Sequence, residues 1–366
     1  YMKTFAQDHN FKAMLGVQYS YTDYESNTNT TEDIIPSLEI VNGQGIHNIT
    51  ANKWQEALLS YYGRINYDFR SKYLFEAQAR YDGSSKFQPE NRWAFFWGVS
   101  AGWRIAEEAF MEGTREWLSE LKLRASYGNV GNQSGIDTYS GVGLYNFRPN
   151  QNIIIGNGKI SWIDTNGRLV SVDRTWERVH NYNVALDFGF LNGRLSGTVE
   201  AYWKKVNNML IDVIYPGVLG DRAPTGNKGK FKAWGYDANA TWNDRIGNVQ
   251  YHIGGTFTYA DNKLLDNGGS GAIGSGVRSD QEGYPLNSVW GLRYCGKIEN
   301  QEMLEKYQDR YAATTTMGNI SKIRVGSNMY EDVNKDGKLD TKDLVYLGTD
   351  DPKIQYSFNF GVNWKG

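Results

Sequence analysis

The stretch "DVNKDGKLDTKD", Asp332 to Asp343, places oxygen-bearing side chains at positions 1, 3, 5, 9 and 12 of a twelve-residue loop: Asp332, Asn334, Asp336, Asp340 and Asp343. Gly337 stands at position 6, where such a loop turns sharply, and Lys338 offers its carbonyl at position 7. Those are the ligand positions of an EF-hand loop, and a hard cation such as Ca²⁺ takes six to eight oxygens. Five side-chain oxygens converging without an ion would repel one another, with only Lys335, Lys338 and Lys342 nearby to offset them. The last ligand is Asp where a bidentate Glu is usual, and no helical pattern flanks the loop. The expectation is a structural Ca²⁺ loop without an EF-hand. A solvated acidic turn of the x-D-G-x type accounts for the same residues without an ion.

Other chemistry is harder to find. The four histidines (His9, His47, His180 and His252) are scattered, and neither H-E-x-x-H nor G-x-S-x-G occurs. One cysteine, Cys295, excludes an internal disulfide and a thiolate metal site. The run "NGGSGAIGSG", Asn267 to Gly276, lacks the Lys-Ser/Thr of a phosphate loop and reads as a mobile loop tip. Balanced charge, 39 basic against 41 acidic residues, gives no reason to expect a nucleic-acid partner. No catalytic residue is expected.

The elements that must position these residues are strands. Between Arg92 and Ile105, "RWAFFWGVSAGWRI", odd positions carry Trp93, Phe95, Trp97, Val99, Ala101, Trp103 and Ile105. Even positions are small, polar or charged, with Phe96 as the exception. Alternation with period two is the mark of a β-strand. The same split recurs over Phe11–Thr22, Leu59–Phe69, Tyr73–Asp82, Leu121–Tyr127, Asn181–Phe188, Thr198–Lys204, Trp234–Trp242, Val249–Tyr259 and Lys353–Trp364. The chain therefore reads as all-β with about ten strands, most of them about 10 to 15 residues long. Sandwich strands average about 5 or 6 residues, whereas a lipid-crossing strand needs roughly 9 to 11. A soluble sandwich or propeller would share the alternation. Aromatic residues gathered at strand ends and charge on the opposite face favour a membrane barrel with a wet lumen.

The links have two lengths. Arg70–Lys72, Leu191–Gly193 and Asn243–Asn248 are tight, whereas Glu25–Lys53, Asn129–Arg178, Asn207–Lys230 and Asn262–Pro352 are long. Outer-membrane barrels join strands by short periplasmic turns and longer external loops. Gly83–Asn91 is a modest external loop, and Ala106–Glu120 is expected to hold a short periplasmic helix. "SVWGLRYCG", Ser288 to Gly296, is assigned to the 262–352 external excursion as an accessory strand, which keeps the strand count even. Trp93, Phe95, Trp97, Trp103, Tyr251, Phe257, Phe358 and Phe360 should face lipid. Glu76, Arg80, Arg124, Glu200 and Lys204 should face the lumen. Trp162, Trp176, Trp290, Tyr139, Tyr145 and Phe147 fall in the long loops, where rings can stack on sugars or simply pack.

Four stretches resemble the barrel of SusC/RagA-like TonB-dependent transporters of the Bacteroidetes outer membrane: "YLFEAQARYDGSSKFQPENRWAFFWGVSAGWRIAEEAFM", "LSELKLRASYGNVGNQ", "WERVHNYNVALDFGFLNGRLSGTVEAYWKKVNNML" and "YEDVNKDGKLDTKDLVYLGTDDPKIQYSFNFGVNWKG". They occur in family order over most of the chain. The resemblance implies that 1–366 is part of one barrel domain of roughly 22 strands, with the plug, its TonB contact and the final strands outside this sequence. It implies import of a bulky nutrient, an oligosaccharide or peptide, under a SusD-like surface lipoprotein, and no enzymatic reaction. A closed ten-stranded outer-membrane hydrolase is the alternative, and a soluble glycan-binding β protein a third.

Overall fold

The computed structural model describes residues 1–31, 47–139, 141–143, 145–148, 154–155, 158–159, 161–165, 170, 173–212, 225–269, 273–275, 277–311 and 322–364. Eleven strands form one antiparallel sheet in chain order. They are β1 (Met2–Phe5), β2 (His9–Thr31), β3 (His47–Phe69), β4 (Tyr73–Ser84), β5 (Trp93–Arg104), β6 (Leu118–Asn132), β7 (Glu177–Phe190), β8 (Leu195–Asp212), β9 (Thr225–Ile246), β10 (Val249–Asn267) and β11 (Ile354–Trp364). All ten sequence-read strands are present. The eleventh, β1, is too short to show a period. It pairs with β2 across a turn at Ala6 and Gln7, both at positive φ.

β2 and β3 are the largest departure from the sequence reading, at 23 residues each. Their outer ends pair as far as Thr31↔His47, well inside the expected Glu25–Lys53 loop. The described side chains of that ribbon, at 25–30 and 50–53, are polar apart from Ala51, and Tyr24 stacks on Trp54 at its base, with centroids 5.1 Å apart. A strand wet on both faces has no period-two signal, so alternation marks only its membrane part.

The two faces divide as the alternation requires. On the outer face Tyr61, Tyr81 and Trp93 stack in a row, Tyr81 and Trp93 at 5.0 Å. Trp97, Tyr127 and Tyr182 continue that belt. A second belt near the tight turns holds His9, Phe69 and Tyr73, then Trp117 on Phe190. Tyr73 and Tyr81 lie in one strand eight positions apart, roughly 26 Å at about 3.3 Å per residue. Tilted by about 35–45°, that length rises roughly 19–22 Å along the membrane normal, close to the apolar band about 25 Å tall between aromatic girdles. Trp93, Phe95, Trp97, Phe257, Phe358 and Phe360 are exposed on this outer face. Trp93 lies so flat across the neighbouring strand that a Cβ on Gly83 would fall 2.7 Å from its ring.

The tight links 70–72, 191–194 and 247–248 lie at one end of the sheet together with the 105–117 link, and the strand ends joined by 85–92, 133–176 and 268–353 lie at the other. Arg70 and Ser71, and Leu191 and Asn192, adopt the paired positive φ of type I′ turns, within links of three and four residues whose twist matches that of the strands. The 105–117 link is built from 3₁₀ turns, Ile105–Glu107 and Ala109–Thr114. Glu108 holds it to the wall, accepting from Tyr73 Oη at 2.6 Å, Trp103 Nε1 at 3.0 Å and Lys72 Nζ at 3.4 Å. The Tyr73 bond first, then those from Trp103 and Lys72, hold the Glu108 carboxyl below its ordinary value.

This arrangement predicts an all-or-none labelling pattern. With the exposed Cys295 replaced by alanine, single cysteines at Ser71 and Asn192 should resist a membrane-impermeant maleimide on intact cells. A cysteine at Ser134, in the long link between β6 and β7, should react. Labelling in the opposite sense would invert the orientation.

Candidate functional site

The inner face of the sheet is a polar wall. Arg124 makes a bidentate pair with Asp187, Nε to Oδ2 at 2.7 Å and Nη2 to Oδ1 at 2.8 Å. Thr198 Oγ1 also donates to Asp187, at 3.0 Å. Asn183 donates to Glu200, Asn66 donates to Glu76 at 2.5 Å, and Arg80 donates to Asp82 at 3.1 Å. Glu76, Arg80, Arg124 and Glu200 therefore share the inner face, and Lys204, four positions beyond Glu200 in β8, shares its parity. Such residues in the middle of a long strand would be ruinous against lipid and are ordinary against water. Asn10, Lys12, Glu76, Lys122, Arg124 and Asn183 border a hollow of about 680 Å³ at the short-turn end.

Phe96, the exception in the β5 alternation, is explained by the loops. It points inward and is buried with Ala94, Phe87, Ile136 and Trp176, against Leu58 and Leu210. Trp176 meets Phe96 edge-on at 5.5 Å and lies 4.8 Å from Phe87. Its Nε1–H donates to the Arg92 carbonyl at 3.0 Å. The fit depends on Gly131, where a Cβ would lie 2.3 Å from the Phe96 ring. The long links are thus pinned to the inner wall at its upper end.

This changes the reading of the loop aromatics. Trp176 is anchor, not docking surface. Trp290 is buried too, donating to the Ser279 carbonyl at 2.7 Å and packed on Tyr284 and Tyr346. Tyr139 and Tyr145 remain exposed, and Trp162 is half-buried in a strand paired with Tyr145–Arg148. The Phe147 side chain lies outside the described residues.

The 262–352 excursion has its own fold. Strands Ile273–Ser275, Arg278–Asp280, Ser288–Leu292 and Leu344–Thr349 form one small sheet, and Tyr294–Lys297 pairs with Asn328–Tyr330. Ser288–Leu292 is thus an accessory strand, as expected. The glycine-rich run is only partly described, and its described part includes the first of these strands. Helix α1 (Gln301–Tyr311) packs Leu304, Tyr307 and Tyr311 against Ile298 and Leu339.

Leu339 belongs to the acidic loop, which ends in a 3₁₀ turn, Thr341–Asp343, and is followed by the strand Leu344–Thr349. The loop closes on its own backbone. Asp332 Oδ2 accepts from Gly337 N–H, Asn334 Oδ1 from Asp336 N–H and Asp336 Oδ1 from Lys338 N–H, each at 2.9 Å. Asp340 Oδ1 accepts from Lys342 N–H at 2.8 Å, and Asp343 accepts from Val333 and Asp340 N–H at 2.9 Å. Among the described residues no three His, Cys, Asp or Glu side chains converge tightly enough to hold an ion as they stand. One atom is left over. Asp332 Oδ1 is buried without a hydrogen-bond partner, a condition that costs about 1–3 kcal/mol or more for a charged group.

An antiparallel wall with a lipid-facing aromatic surface, a charged inner surface and all its long links at one end is an outer-membrane β-barrel wall. The chain belongs to the TonB dependent receptor-like, beta-barrel family, whose profile matches residues 3–364. TonB-dependent receptor P26 of Formosa agariphila is 29% identical over the whole chain, which spans 37% of that relative. TonB-dependent receptor SusC of Bacteroides thetaiotaomicron is 34% identical over 51% of the chain and 19% of its own length. Among solved structures, the RagAB peptide importer in the open-open state superposes with a TM-score of 0.78 at 23% identity. That match covers all of this chain and 38% of its counterpart, and it bears on the fold alone. The chain spans well under half the length of each of these relatives.

Proposed function

We propose that the chain forms wall and external loops of a TonB-dependent importer that admits a bulky nutrient, an oligosaccharide first, under a SusD-like lipoprotein lid. One observation carries this reading: a charged inner wall whose long links, and a folded excursion, all gather at one rim. A pore mouth built this way suits capture of a large polar solute. Exposed rings such as Tyr139 and Tyr145 suit the faces of sugars, which present C–H groups to an aromatic ring. The relatives that the chain matches are TonB-dependent receptors, which favours transport over the hydrolase reading.

The outer edges of β1 and β11 have no neighbouring strand among the described residues. Phe358 in β11 is 83% exposed and Phe360 70%. An unpaired edge cannot face lipid, because its N–H and C=O groups would have no partners there. Further strands of the same wall are the proposed neighbours, completing a barrel large enough to hold a plug through which TonB would act.

The test is genetic. Deleting the gene in its host should abolish growth on an oligosaccharide while leaving growth on its monosaccharide intact, and disrupting TonB should reproduce the defect. Loss of growth on peptides instead would reassign the cargo. Growth on both, with TonB disruption also silent, would overturn the importer.

A further inference from the structure

Asp332 opens the acidic loop with its side chain 1% exposed and its Oδ1 without a partner. Its Oδ2 accepts from Gly337 N–H across the loop, so the carboxylate is turned into the loop rather than out of it. The Arg310 guanidinium reaches Oδ2 at 3.6 Å from a side chain that is itself 60% exposed. A buried carboxylate oxygen that accepts no hydrogen bond calls for a water or a cation, and the ligand spacing around this one favours the cation. We propose that the loop binds one structural Ca²⁺, with Asp332 Oδ1 as the buried ligand beside Asn334, Asp336 and the Lys338 carbonyl.

The hydrogen bonds within the loop bear on how the ion would be held. Asn334, Asp336 and Asp340 each use an oxygen on a backbone N–H two residues ahead. Carboxylate and amide oxygens carry two lone pairs, so these bonds shape the loop and still leave capacity for an ion. Asp336 and Asp340 must turn inward to coordinate, a movement that the ion itself would drive. Asp343 departs from the EF-hand pattern. Both its oxygens are held by backbone N–H groups, Val333 on one and Asp340 on the other. Asp is also one methylene shorter than the usual Glu, so this arm would be the weaker one and water would complete the shell.

Affinity should therefore fall at the weak end, around 10⁻⁴–10⁻³ M as in extracellular modules. Mg²⁺ should be disfavoured, since it demands a near-ideal octahedron and gives up its waters reluctantly. The ion's reach extends past the loop. Leu339, between the ligands, lies in the same buried cluster as Leu304, Tyr307 and Tyr311 of α1. Fixing the loop thus fixes the helix.

The experiment needs neither cargo nor lid, so its outcome is separate from that of the importer reading. Purified full-length protein in detergent, stripped with EDTA, is titrated calorimetrically with CaCl₂ and with MgCl₂. Beside it stand the double variant Asp332→Asn plus Asp336→Asn and, outside the loop, Asp350→Asn. Wild type and D350N should take up one more Ca²⁺ per chain than the double variant, at least tenfold more tightly than Mg²⁺. Ca²⁺ should also slow amide exchange across 301–311 and 332–343 in wild type only. Asp336→Asn alone, at an exposed position, gives the same comparison should the double variant not assemble. Equal Ca²⁺ uptake by wild type and loop variants, or no change in exchange, overturns the proposal.

Discussion

Leu186→Arg should block assembly of the wall, whereas Ser126→Arg should be tolerated. Leu186 lies on the outer face of β7, between Leu123 and Val199 of the neighbouring strands. It is 37% exposed, midway between the belt containing Tyr182 and the belt containing Phe190. Arginine at the bilayer midplane of a barrel costs about 2–4 kcal/mol, roughly a 30- to 900-fold shift in the folding equilibrium. Ser126 is exposed one residue along β6 from Ala125, and it borders the inner hollow. A guanidinium there meets water and the neighbouring carboxylates. The check is the yield of folded, heat-modifiable protein in outer-membrane fractions, followed by urea titration in lipid vesicles. Equal assembly and equal midpoints for the two variants would mean that the aromatic face does not meet lipid.

Trp176→Ala should release the long links without dismantling the wall. The indole is 4% exposed, in contact with Phe87 and Phe96 and hydrogen-bonded to Arg92. Truncating a buried Trp costs about 3–5 kcal/mol. Here that loss falls on a local opening rather than on the whole sheet. Amides at 133–139 and 173–178 should exchange roughly 10²- to 10³-fold faster, with amides in the middle of β7 and β8 unchanged. Gly131→Val should do the same by the opposite route, since its side chain would collide with both rings. If exchange in those segments stays at the wild-type rate, the cluster does not hold the loops. Uniformly faster exchange through β7 and β8 would make Trp176 a support of the wall itself.

These variants also separate what each level of structure controls. Alternation is local. A strand between lipid and water must put one kind of side chain on each face, so ten strands and their facing were legible in residues such as Trp93, Phe95, Arg124 and Glu200. The positions of the tight links at 70–72 and 191–193 were legible for the same reason, because the alternation stops there. Where both surfaces of a strand are wet, as beyond Thr22 in β2, that constraint lapses, and its full length emerged only from pairing with β3. β1 has too few residues to carry a period, and its place is fixed by its register with β2.

The loops depend on contacts between residues far apart in the chain. Phe96 read as a misplaced apolar residue because its partners, Phe87 and Trp176, lie in two different links. Trp176 and Trp290 read equally as stacking surfaces or as loop packing, because burial is not encoded in residue type, and the structure buries both. The acidic loop divides along the same line. Spacing alone identified Asp332, Asn334, Asp336, Lys338, Asp340 and Asp343 as a turn with metal-ligand positions. Only the folded excursion shows that Asp343 is held on both oxygens by backbone, and that Asp332 keeps one buried oxygen without a partner. The sequence by itself determined the wall, because lipid and water impose a repeating rule on every strand. Tertiary structure decided the rim, because there each side chain answers to whichever distant neighbour the closed chain brings against it.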